Sequence, residues 1–301
     1  MGICNNEISQ NNKNKIKREA EYIIKEAVIE GTPTYLTSKD IDIISTQRKN
    51  SICKIINQNN NVIKKGTGFL CLIPFPNEEN ELPFLITCNH VLNDEDISSK
   101  LELKLYFNDN ISKILIIDKN KNNRIIYNNS QMHDYIMIEI LKEDGFSMKD
   151  FLKIDTDLFF GIKELEKSHK NYKNISVYII HYPLGELSSY SSGIINFIDD
   201  EIIEHNCATN FGSSGSPIIN LADYKVIGIH QSYDKVKNIN IGANIKVISE
   251  NYDYYIKYIK YIKLLKEYNI NLNIDIAIDY CFFIVKQSLQ LMKNWMIITK
   301  L

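Results

Sequence analysis

Along residues 15–30 (KIKREAEYIIKEAVIE) apolar side chains recur at helical spacing among strong helix formers, and Gly31 with Pro33 ends the pattern. A polar stretch follows to about Asn50. From there to about Ile248 the texture changes to short apolar runs parted by Asn, Gly, Pro and Asp clusters. Clear cases are SICKII (51–56), GTGFLCLI (66–73), PFLIT (83–87), LELKLYF (101–107), ILIID (114–118) and YIMIEI (135–140). Further along come SVYIIHY (176–182), SGIINFI (192–198), SPIINL (216–221) and KVIGIH (225–230). Many short runs at close spacing predict an all-β sandwich or barrel. Beyond residue 250 the helical period returns. In YDYYIKYIKYIKLLKEY (252–268), Lys257, Lys260, Lys263 and Lys266 fall on one side, with Ile256, Ile259 and Ile262 nearer the other. A second helical stretch is expected within 276–297. Asn-rich tracts read as loops and form no repeat. The expected organisation is a helical or flexible extension over 1–48, a β-rich domain over 49–249, and a helical extension over 250–301.

Composition narrows the function classes. A chain of 301 residues makes one large domain or two small ones. Apolar residues at 44% and charged residues at 24% are ordinary for a soluble globular protein. The formal charge is -2, and Asp and Glu interleave with the lysines, so no basic field calls for a nucleic acid. No run of about eighteen apolar residues occurs. The nearest, IDYCFFIV (278–285), is too short and carries Asp279. Cys4, Cys53, Cys71, Cys88, Cys207 and Cys281 show no metal-ligand spacing, and no secretory signal precedes them. Free thiols in a reducing, cytoplasmic compartment are therefore expected. The N-terminus adds one localisation signal. Gly2 permits N-myristoylation and Cys4 beside it palmitoylation, although Asn6 stands where Ser or Thr is preferred. One acyl chain binds membranes only marginally, so peripheral anchoring would need Cys4 as well.

The sharpest chemical signal is FGSSGSPI (211–218). Acyl transfer needs an exposed nucleophile with backbone amides aimed at the developing oxyanion. A G-x-S-G-x-P turn can supply both. Ser214 would be the nucleophile, the Gly212 and Ser214 N–H groups the oxyanion donors, and Pro217 the entry to the next strand. By itself the motif also fits a Gly/Ser-rich hairpin turn. The second signal is FLITCNHVL (84–92), where an apolar strand runs into a short polar segment holding His90. The third is HDYIMIEI (133–140), where Asp134 immediately precedes an alternating strand. Their order is His, Asp, Ser, with gaps of 44 and 80 residues. That order separates the chymotrypsin-like arrangement from the subtilisin and α/β-hydrolase ones.

Taken together these motifs resemble the trypsin-like serine proteases, particularly intracellular members lacking disulfides. Residues 66–70 (GTGFL) and 85–91 match the strands that lead to the family's histidine. Asp134 with the strand after it, residues 212–217, and VIGIH (226–230) match its remaining motifs. The resemblance covers roughly residues 50–248. It implies a mainly β fold of two six-stranded antiparallel β-barrels, with helical N- and C-terminal extensions and the cleft between the barrels. It implies a serine endopeptidase with His90 as general base, Asp134 orienting it and Ser214 attacking a protein or peptide substrate, without metal or cofactor. Val91 stands where extracellular members usually have Cys, and Ser213 where they often have Asp. Neither change removes a member of the triad.

Specificity is a finer expectation. Thr209 lies five residues before Ser214 and His230 sixteen after it, similar to glutamyl endopeptidases and to picornaviral cysteine proteases that cut after Gln. A hydroxyl and an imidazole can bind a carboxylate or an amide, so cleavage after Glu or Gln is expected. No Asp precedes Ser214 closely, which disfavours cleavage after Arg or Lys. His133 is a poorer base, because neighbours on a strand point to opposite faces. His169, His181 and His205 read as loop or structural residues, His205 with an option on the cleft. Two readings compete: an inactive binding module on the same fold, and a membrane-anchored interaction protein.

Overall fold

The computed structural model describes residues 36–250, apart from 60–61, 75–80, 94, 98–99, 110, 119–123, 130–132 and 162–171. The helical readings at 15–30, 252–268 and 276–297 and the acylation sites Gly2 and Cys4 lie outside the described residues. No helix among the described residues is long and apolar enough to cross a membrane.

Each of the ten short runs from SICKII to KVIGIH falls on a strand. The first half of the domain comprises β1 (Ile52–Asn59), β2 (Val62–Pro74), β3 (Glu81–Cys88), β4 (Leu101–Phe107), β5 (Ile111–Ile117), β6 (Ile126–Asn129), β7 (Tyr135–Glu139) and β8 (Leu152–Lys153). These form one eight-stranded sheet in the order β5-β4-β1-β2-β3-β7-β6, with β8 parallel to β2. The second half comprises β9 (Ser176–His181), β10 (Ser189–Ile198), β11 (Ile202–His205), β12 (Pro217–Asn220), β13 (Val226–Asp234) and β14 (Ile239–Asn244). It closes as a six-stranded barrel in the order β10-β11-β14-β13-β12-β9. The architecture is the chymotrypsin-like double barrel, with one correction. The first half is an eight-stranded half-barrel rather than a closed six-stranded one, because its edge strands β5 and β6 do not pair with each other.

Burial follows the pleat. On β4, Leu103, Leu105 and Phe107 turn inward while Glu102 and Lys104 face out. Strand β3 differs: from Phe84 to Cys88 every residue is buried, so it is covered on both faces. Such a strand makes a rigid mount for the segment that follows it.

The polar stretch before Asn50 is a helix, α1 (Ser38–Asn50). Thr37 and Asp40 form a reciprocal capping box at its start, which satisfies two of the amides a helix leaves open. The helix buries a polar residue. Gln47 accepts a hydrogen bond from Tyr178 Oη on β9 at 2.6 Å and donates to the Tyr224 carbonyl at 3.4 Å. The next residue, Arg48, meets Asp109 at 2.7 Å. Two further short α-helices, α2 (Thr156–Phe160) and α3 (Lys246–Glu250), and three 3-10 turns at Lys142–Asp144, Met148–Asp150 and Pro183–Gly185 complete the elements among the described residues.

Candidate active site

Strand register brings His90 to Asp134. Strands β3 and β7 pair with Cys88 opposite Tyr135, so the residues just beyond β3 meet those just before β7. Asn89 N–H donates to the Asp134 carbonyl at 3.1 Å, and His90 N–H to Asp134 Oδ1 at 3.0 Å. His90 Nδ1 lies 2.6 Å from Asp134 Oδ2. A carboxylate only accepts, so Nδ1 carries the proton and the Nε2 lone pair is left free. Asp134 has φ +43°, a left-handed conformation that Asp tolerates better than most residues. The imidazole is half exposed.

The serine turn is shaped by two glycines. Gly212 and Gly215 both have φ +87°. A Cβ on Gly212 would lie 2.6 Å from the Tyr182 carbonyl, and one on Gly215 2.1 Å from the Thr67 carbonyl. Gly215 is thus a point of contact between the two halves rather than merely open space beside the serine. Within the turn, Ser213 N–H donates to Asn210, Ser216 N–H to Ser213, and Gly215 N–H to His230. The Gly212 and Ser214 N–H groups donate to no acceptor among the described residues. Ser214 Oγ donates to the Gln231 carbonyl at 3.1 Å and not to His90. A catalytic hydrogen bond is often unmade before substrate arrives.

Thr67 carries a role the sequence motif did not reveal. Its N–H donates to the Ser214 carbonyl at 2.9 Å, and its hydroxyl donates to the Gly212 carbonyl at 2.8 Å. The same hydroxyl accepts Tyr182 N–H at 3.0 Å, while Thr87 Oγ1 donates to the Thr67 carbonyl at 2.7 Å. One residue on β2 therefore anchors both peptide units that flank the proposed oxyanion donors. GTGFL marked the place but not the partners.

Behind the turn lies a buried polar cluster. Ser213 is fully buried; its Oγ accepts Asn210 N–H at 3.0 Å and pairs with His181 Nδ1 at 2.7 Å. His205 Nε2 lies 3.2 Å from His230 Nδ1. Thr209 Oγ1 donates to Asn240 Oδ1 at 2.6 Å, and Asn240 Nδ2 donates to the Cys207 carbonyl at 2.6 Å. Register explains the grouping. Asn240 faces His205 and Gly242 faces His230, and positions two apart on β14 share a face. Burial pushes His181 and His205 down to about 4 and holds His230 well below the ordinary imidazole range. All three rings are neutral near pH 7. Asn240 gave no signal in the sequence; His181 read there as structural, and His205 as structural with an option on the cleft.

Cys88 Sγ and the ligand atoms of His90 and Asp134 lie within 4.8 Å of one another, a spacing a metal ion could use. Each already has a partner, Cys88 Sγ donating to the His230 carbonyl at 3.4 Å. Cys53, Cys71, Cys88 and Cys207 are buried free thiols. Burial raises each of them and so suppresses the thiolate.

Comparison with known proteins gives a consistent result. The family model of the trypsin-like peptidase domain matches residues 66–229, from the glycine opening GTGFL into β13, the second strand after the serine turn. No curated protein matches the sequence. Among solved structures, the serine endoprotease from Yersinia pestis aligns with a TM-score of 0.50 and 12% identity, over 75% of this chain and 68% of that one. At that identity the likeness shows the fold. The matched segment spans more than half of the chain, and this protein belongs to the trypsin-like peptidase domain family.

Proposed function

We propose that the protein is a serine endopeptidase in which Ser214 attacks, His90 is the general base and Asp134 orients it. The observation that carries this reading is the doubly held His90–Asp134 pair beside a turn with two unengaged amides. For the reaction, Ser214 Oγ leaves the Gln231 carbonyl by rotation about its side-chain bond and passes its proton to His90 Nε2 as it bonds to the scissile carbonyl carbon. Asp134 stabilises the imidazolium, and the Gly212 and Ser214 amides receive the oxyanion. His90 then protonates the leaving amine, and water hydrolyses the acyl-enzyme along the reverse path. Thr209 and His230 line the pocket for the residue before the cut, with Glu or Gln as the favoured side chain. The placement of Asn240 between Thr209 and the His205–His230 pair supports that assignment.

The test is fluorophosphonate labelling of folded wild type beside Ser214→Ala and His90→Ala. Labelling of wild type alone, with turnover falling about a million-fold in either variant, is the expected outcome. Folded wild type that stays unlabelled would replace this reading with an inactive scaffold whose Ser214 hydroxyl remains committed to Gln231.

A further inference from the structure

We propose, resting on the specificity reading above, that the pocket is built for glutamine rather than glutamate, because it offers one hydrogen-bond donor and one acceptor. The assignment follows from fixed partners. The Cys207 carbonyl can only accept, so the atom of Asn240 that meets it is the amide nitrogen, and Oδ1 faces Thr209. An amide oxygen also only accepts. The Thr209 hydroxyl therefore spends its proton on Asn240 and presents a lone pair to an incoming side chain.

The imidazole pair resolves the same way. His205 Nδ1 is buried with no partner. A proton there would be an orphaned buried donor, which folded proteins avoid more strictly than an idle lone pair. The proton therefore sits on His205 Nε2 and is donated to His230 Nδ1. His230, neutral, keeps its own proton on Nε2, away from His205. The groups that act on it are His205 from β11, His181 from β9 and His90 across the cleft, and they lower its proton affinity further.

A carboxamide fits this pair of groups: its oxygen accepts from His230 Nε2–H, and its nitrogen donates to Thr209 Oγ1. A carboxylate has two acceptor oxygens and sets one against the Thr209 lone pair. Satisfying it would pull the Thr209 proton off Asn240 Oδ1 and leave that nearly buried oxygen unpaired. Glutamate would enter with an added proton, on its own carboxyl or on His230.

Two fluorogenic peptide pools, identical except for Gln or Glu before the scissile bond, test this with wild-type enzyme from pH 8 to pH 6. The expected result is a kcat/KM ratio favouring Gln by at least about 30-fold at pH 7.5. Both substrates share the His90 dependence, which cancels in the ratio. The ratio should therefore shrink as pH falls and Glu takes up its proton. Thr209→Val should collapse the ratio and Thr209→Ser should keep it. Equal or preferred cleavage after Glu, with a ratio flat in pH, overturns the inference and leaves the protease reading standing. Cleavage of neither pool by enzyme whose Ser214 still labels also overturns it. Absence of labelling removes the reading on which it rests.

Discussion

The hydroxyl of Thr67 is shared between the Gly212 carbonyl and Tyr182 N–H, and the residue is wholly buried. Thr67→Val would leave one acceptor and one donor unpaired at nearly unchanged volume. Each orphaned group costs about 1–3 kcal/mol. The expected outcome is a lower urea midpoint together with fluorophosphonate labelling slowed by about tenfold or more, since the Gly212 peptide loses its anchor. Unchanged labelling in a destabilised variant would show that Thr67 serves the fold alone. Gly215 is less forgiving. A methyl there meets backbone at 2.1 Å in a left-handed conformation, so Gly215→Ala should yield little folded protein, readable as loss of soluble expression. At this scale the sequence was informative about residue types and poor about partners. His90, Asp134 and Ser214 stood out because each sits in a local motif, and the meeting of His90 with Asp134 could be expected from the strands that carry them. Thr67 and Gly212 are 145 positions apart, and no local pattern encodes their bond.

Among the elements, α1 escaped the pattern reading because its one fully buried contact is polar and Ile44 packs against the core only partly buried. Its lone buried side chain is Gln47, so no apolar stripe marks the packed face. The signal that was present is the Thr37–Asp40 capping box. Because the Tyr178 hydroxyl is buried and donates to Gln47, Gln47→Ala should cost about 1–3 kcal/mol in urea unfolding. Tyr178→Phe should remove much of that cost in the double variant, and strictly additive losses would show that the bond carries no coupling. Strand β14 was missed for a related reason. Its sequence INIGAN holds two Asn and a Gly, poor strand formers. Gly242 is nevertheless required, since a Cβ there would lie 2.6 Å from both the Ile229 carbonyl and Ile218 Cδ1. The strand exists through its neighbours rather than through its own propensity.

For the molecule as a whole, the second barrel encloses three imidazoles from three strands. Unfolded, each takes a proton near pH 6.5; folded, His181 and His205 resist until about 4, and burial holds His230 well below the ordinary imidazole range. Protons therefore bind the unfolded chain more readily, and stability falls as pH drops from about 6.5 towards 4. The slope reaches about 1.4 kcal/mol per pH unit for each histidine. Urea unfolding at pH 7.5, 6 and 5 should show this decline, and His181→Gln should flatten it. A midpoint constant over that range would place the three rings in contact with water. The double-barrel class was legible from runs, turns and motif order. The open first half was not, since closure depends on edge strands finding each other and leaves no mark within a strand. The tie between Thr67 and the serine turn has a consequence for how the chain is made. Translation delivers His90 and Asp134 first, whereas the turn with Ser214 and the β14 strand that closes its barrel follow about 80 residues or more later. On the proposed reading, a half-synthesised chain on the ribosome therefore holds His90 and Asp134 with no serine to activate, and gains the means to cut itself or its neighbours only after the second barrel has begun to form.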